Sequence, residues 1–84
     1  MIIRNEDIRE VVLEVPEGHG HIRTTIRLKD GSEFVFQEAA IANIARAYVT
    51  VKTHPAKTEV RLRAEKLLRR KEGFAGWQLI EVDE

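Results

Sequence analysis

Glu17, His19 and His21 recur at a spacing of two in the stretch "EGHGH". On an extended backbone that spacing projects all three side chains to one side. Two neutral imidazoles and a carboxylate are ligands that zinc and related ions accept, and three of them with an open position would suit a catalytic ion. His54, the remaining histidine, would complete the set if its segment came near. Gly18 and Gly20 argue the other way, because a glycine-rich stretch turns easily and gives ligands little second-layer support. A turn is therefore the preferred reading. A metal-dependent site at residues 17–21 is a minor alternative, and no cofactor is implied.

A second group with chemical potential is basic. If residues 56–72 form a helix, Arg63, Lys66 and Arg70 fall on one stripe with Arg69 beside it, a surface that would follow a phosphate backbone through salt-dependent contacts. Glu59 and Glu65 stand four residues before Arg63 and Arg69, which is the spacing of ordinary surface ion pairs. The sequence pI of about 6.8 also lies well below the basic range typical of nucleic-acid binders. No aromatic series accompanies the bases to stack on nucleotides. An accessory nucleic-acid-binding role for this basic helix face is thus the second reading.

Catalysis has less to stand on. The hydroxyls of Thr24, Thr25, Ser32, Thr50, Thr53 and Thr58 lie in no nucleophile motif, and His54 has no evident orienting partner. As the residue before Pro55, His54 suits a backbone-capping role between elements. "GHG" and "GFAG" lack the spacing of a phosphate-binding loop. No catalytic residue is assigned.

The elements that must position these residues follow from composition and period. At 84 residues with 43% hydrophobic and 33% charged content, the chain is expected to form one soluble globular domain with a modest core. It has no cysteine, which excludes disulfides, a thiol nucleophile and thiolate-bound zinc. Acidic residues interrupt the first twelve positions, and no stretch approaches the ~18 apolar residues of a membrane span. A cytoplasmic setting without membrane contact is expected. Net charge is zero, yet residues 1–40 hold 5 basic and 8 acidic side chains and residues 41–72 hold 9 and 3. That asymmetry suits an acidic sheet layer beneath a basic helical layer.

"IREVVLEV" (8–15) and "HIRTTIRL" (21–28) read as strands. In the first, Val11, Leu13 and Val15 point one way, and Ile8, Glu10, Val12 and Glu14 the other. "KDGS" turns the chain into a third strand. A two-residue loop at Asp30-Gly31 would place Glu33 on the apolar face. A three-residue loop with Gly31 in the left-handed region instead sets Ile26 opposite Phe34, Thr24 opposite Phe36 and Arg27 opposite Glu33. The second register satisfies both faces and is the one expected.

Residues 37–52 take a helical period, with Ala40, Ile41, Ile44, Ala47, Tyr48 and Val51 on the core-facing stripe and Asn43, Arg46 and Thr50 opposite. Residues 56–72 are expected to form a second helix opened by Pro55, and residues 77–82 a fourth strand. The expected fold is α+β, in the order β-β-β-α-α-β: a four-stranded, mainly antiparallel sheet with two helices packed on one face. Leu62 has no place in the core of that arrangement. With an unpaired outer strand, it favours a small non-enzymatic protein-interaction domain that self-associates. Its surface would be Arg23, Thr25, Arg27 and Val35, or the Leu62 region, and its partner a protein or a second copy. Trp77, the only tryptophan, is assigned to packing rather than to an interface.

Overall fold

The computed structural model describes residues 1–68 and 76–83. They fall into two compact units, Met1–Glu38 and Ala39–Glu84.

The first unit is an antiparallel meander. β1 (Ile8–Glu14), β2 (Arg23–Leu28) and β3 (Glu33–Gln37) lie in the order β1-β2-β3, so β2 is central and both outer strands are edges. A single 3-10 turn, Asn5–Asp7, leads into β1. The β2–β3 register is the expected one: Thr24 faces Phe36, Ile26 faces Phe34 and Arg27 faces Glu33. Gly31 sits at φ +94°, and the Leu28 N–H donates to the Ser32 carbonyl at 2.9 Å, closing the three-residue loop. The Asp30 carboxylate accepts from the Ser32 backbone N–H at 2.8 Å, and that bond holds its pKa below the usual carboxylate value.

β1 adds a row to each face. Val11 faces Ile26 and Leu13 faces Thr24, which gives the apolar rows Val11–Ile26–Phe34 and Leu13–Thr24–Phe36. The opposite face carries Glu10–Arg27–Glu33, Val12–Thr25–Val35 and Glu14–Arg23–Gln37. Ile8 departs from its expected place. The register slips between Ile8 and Glu10, so Ile8 lies opposite the buried Leu28 rather than beside Glu10 and Val12. A one-residue bulge moves a side chain to the other face, and here it brings an isoleucine onto the apolar one.

The second unit corrects the expected architecture. The described residues contain one helix and five strands in two separate sheets, rather than two helices on a single four-stranded sheet. α1 (Glu38–Thr53) forms where the helical period predicts it. His54 ends it: its N–H still donates to the Thr50 carbonyl, while its ring Nδ1 accepts from the Ala56 N–H at 3.2 Å, the expected capping role. Pro55 lies in a turn and opens no helix. Arg61–Lys66 is a strand, β4, paired antiparallel with β5 (Trp77–Val82) as a two-stranded sheet.

The physical reason is an alternation that the helical period conceals. Val60, Leu62 and Ala64 alternate with Arg61, Arg63 and Glu65, so an extended chain sorts them onto two faces. Leu62, misplaced on a helix, here shares a face with Ala64 and its partner Leu79 and is half-buried. The Leu67 N–H donates to the Gly76 carbonyl at 2.8 Å, extending the pairing one step past Lys66 and Trp77. The rest of the expected second helix, residues 69–72, lies outside the described residues.

α1 is also turned differently from expectation. Its half-buried positions include Ala40, Ile41, Asn43, Ala47 and Thr50, and Asn43 donates to the Gln78 side chain of β5 at 3.1 Å. Ile44, Tyr48 and Val51, expected in the core, are 48%, 65% and 37% exposed. The centre of the covered stripe is rotated by about a quarter turn, on 100° per residue. Small side chains at Ala40 and Ala47 allow close approach on that side, and the Asn43 amide is satisfied there by Gln78.

Two substitutions test these assignments. Gly31→Ala meets no steric obstacle, since nothing lies within 4 Å of the added carbon, but it forces a side chain into a left-handed backbone. The expected cost is about 1 kcal/mol in denaturant unfolding. Thr24 is 4% exposed and its hydroxyl has no hydrogen-bond partner. Thr24→Val removes an unsatisfied polar group at nearly constant shape, so unfolding should become harder by about 1 kcal/mol, visible as a higher denaturation midpoint at unchanged slope.

Candidate interaction surface

The "EGHGH" stretch forms a turn. The His19 N–H donates to the Pro16 carbonyl at 3.0 Å and Gly18 has φ +80°, the backbone of a type II turn with glycine at its third position. Glu17 and His19 are exposed on it. His21 turns to a different partner, its Nδ1 lying 3.0 Å from Glu38 Oε2. The same oxygen accepts from the Ile22 backbone N–H, also at 3.0 Å. Glu38 is the first residue of α1, where a carboxylate also suits the helix dipole. One side chain thus ties the entry of β2 to the end of β3. Among the described residues no three His, Asp or Glu side chains gather as metal ligands.

The two described residues of the basic group do not share a face. Arg63 and Lys66 lie three residues apart on a strand, so they project to opposite faces of the β4–β5 hairpin. Their partners differ accordingly: Arg63 lies opposite Ile80 and Lys66 opposite Trp77. The helix face that would have followed a phosphate backbone is not formed there. Arg69 and Arg70 lie outside the described residues.

The expected interface residues divide. Thr25 is 5% exposed, covered between Val12 and Val35 in its row. Arg27 bridges two carboxylates, with Nη1 donating to Glu10 at 2.6 Å and Nη2 lying 3.6 Å from Glu33. The hydrogen bond to Glu10, then the charge of Glu33, raises the Arg27 pKa above its usual value. Arg23 and Val35 are exposed, and Leu62 is half-buried in the hairpin.

Sequence reasoning names Val35 but passes over its neighbours Phe34 and Phe36. Phe34, Val35 and Phe36 are consecutive apolar residues on β3, an edge strand without lysine or proline. Phe34 is 38% and Val35 57% exposed. Across the same apolar face Val11 and Leu13 are 45% and 62% exposed. The signal was present in "EFVFQ", which offers aromatic or branched side chains to both faces where a half-solvated strand would alternate. In the other unit an open groove is lined by Lys57, Glu59, Val60, Arg61, Glu81 and Val82. Lys57 pairs with Glu81 and Arg61 with Glu59, so opposite charges answer one another along it. The hydrogen bond to Glu81 also raises the Lys57 pKa. No described helix is long and apolar enough to cross a membrane.

No family model matches the chain, and no curated protein or solved structure matches it either. The reading of function therefore rests on the surfaces themselves.

The Glu38 tie has a direct test. Glu38→Ala removes the acceptor of the Ile22 N–H, so hydrogen exchange at that amide should quicken by about tenfold or more, as a lost charge-assisted bond implies. Exchange at the Ile26 amide, in the middle of β2, should stay protected.

Proposed function

We propose that this chain is a small non-enzymatic protein-interaction domain that self-associates, acting in the cytoplasm. The observation that supports it is the β3 edge. Its outer side pairs with no strand among the described residues, and it carries Phe34, Val35 and Phe36 in succession. Natural edges are commonly blunted by lysine, proline or a bulge. β1 has such a device in its bulge at Ile8–Glu10, and β3 has none.

A second copy is the partner that the strand itself suits. In an antiparallel pair centred on Val35, Phe34 would lie opposite Phe36 of the second copy and Glu33 opposite Gln37, so no like charges are opposed. The non-enzymatic part of the proposal is supported by the sequence, where no hydroxyl or imidazole sits in a nucleophile or acid–base motif.

Sedimentation equilibrium over a hundredfold range of protein concentration tests the reading. A concentration-dependent mass is expected for the natural sequence. Val35→Lys, which places a charge on the exposed edge, should weaken association by about tenfold or more while leaving the circular dichroism spectrum unchanged. A constant monomer mass throughout would overturn the proposal.

A further inference from the structure

The helix carries a stripe that the strand edge does not explain. Ile41, Ile44, Tyr48 and Val51 are spaced three, four and three, the a/d pattern of a helix that meets another helix. Ile44, Tyr48 and Val51 remain 48%, 65% and 37% exposed, while the neighbouring stripe, including Asn43 and Thr50, is the covered one. An amphipathic helix ordinarily buries its apolar stripe. Here small and polar residues are covered together with Ile41, while the larger Ile44, Tyr48 and Val51 are left open.

We infer that α1 pairs with α1 of a second copy, antiparallel, through this stripe. The proposal rests on the self-association reading above and adds a contact to it. Three features select the occupant. The three-four-three spacing is palindromic, so a reversed copy sets Ile41 against Val51 of the other chain and Ile44 against Tyr48, each contact occurring twice about a twofold axis. The flanking position Ala45 is small and exposed, and lets the two backbones approach. At the ends, the same register brings the Glu38 carboxylate, 40% exposed, toward Lys52 of the other copy, opposite charges at flanking positions on both sides of the axis. In a parallel pair Glu38 and Lys52 would lie at opposite ends of the contact, and this charge pairing would be lost.

Four side chains on a helix of 16 residues bury on the order of 300–400 Å² per copy, about half of the ~800 Å² per partner found in stable complexes. The helix contact alone therefore gives a weak pairing.

The experiment uses the full chain. Because it has no cysteine, a single introduced thiol reports one position. Ala45→Cys lies near the twofold axis of the antiparallel pair and should be captured as a covalent dimer by a short thiol-specific crosslinker. Lys52→Cys lies at the end of the helix, far from its own counterpart, and should be captured poorly. Sedimentation equilibrium of Ile44→Lys/Tyr48→Lys, both exposed positions, should show at least a tenfold higher dissociation constant with unchanged circular dichroism. Efficient capture of Lys52→Cys would overturn the antiparallel arrangement. Undiminished association in Ile44→Lys/Tyr48→Lys would overturn the helix pairing while leaving the β3-edge reading intact. A natural sequence that stays monomeric at every concentration would overturn both.

Discussion

The left-handed backbone at Gly31 decides which side chains of the first unit meet. A strand has a side-chain period of two, so a loop one residue shorter would exchange the faces of β3 relative to β2. Glu33 would then join the apolar face and Val35 would fall opposite Ile26. The three-residue loop avoids this, and glycine is the residue that takes its third position without steric cost. Asp30 reinforces the same geometry by accepting from the Ser32 N–H. From these two residues follow the apolar rows, the Glu10–Arg27–Glu33 row and the exposure of β3 as an apolar edge.

Arg27 contributes specificity more than stability. Its guanidinium lies between carboxylates on both neighbouring strands, 2.6 Å from Glu10 and 3.6 Å from Glu33. Exposed pairs of this kind add little net energy, because the charges give up hydration and side-chain freedom to meet. A register shifted by one residue, however, would carry Glu33 to the opposite face of the sheet from Arg27. The charged row thus penalises the same slip that Gly31 disfavours, and the bulge at Ile8–Glu10 completes the sorting by returning Ile8 to the apolar side.

The parts of the fold legible in the sequence are those fixed by neighbours a few residues away. The β2–β3 register follows from "KDGS" and two short alternating strands, and α1 from sixteen residues of helical period. Residues 61–66 show where this stops. Arg61, Leu62, Ala64, Glu65 and Lys66 include good helix formers, and the local preference is helical. What makes them a strand is pairing with Trp77–Val82, beyond a connection of ten residues. Leu62 marks the conflict, since the expected second helix leaves it outside the core. The candidate interaction surface is legible in outline only. An unpaired strand was foreseen, but Thr25 and Arg27 were assigned to solvent, whereas packing within the charged face covers the one and carboxylates engage the other. The rotation of α1 lay out of reach, since period finds a stripe but not which side of it the chain will cover.

That rotation bears on why the chain leaves so much apolar surface. Only Leu28, Thr24 and Thr25 are buried among the described residues, and one of those threonines carries an unsatisfied hydroxyl. A chain of this size has few core positions to fill. It would ordinarily bury Ile44 and Tyr48 before Asn43 and Thr50, since each large apolar side chain removed from water contributes roughly 1.5–3 kcal/mol. The helix instead uses its small residues for close approach and satisfies the Asn43 amide on Gln78. Such a choice is costly for an isolated monomer. It becomes favourable once a second copy covers the stripe, because the covered side then needs only to fit and the open side supplies the apolar burial. In the proposed self-association, the open stripe of α1 and the unblunted edge of β3 would share one physical origin, as surfaces whose apolar burial a second copy supplies.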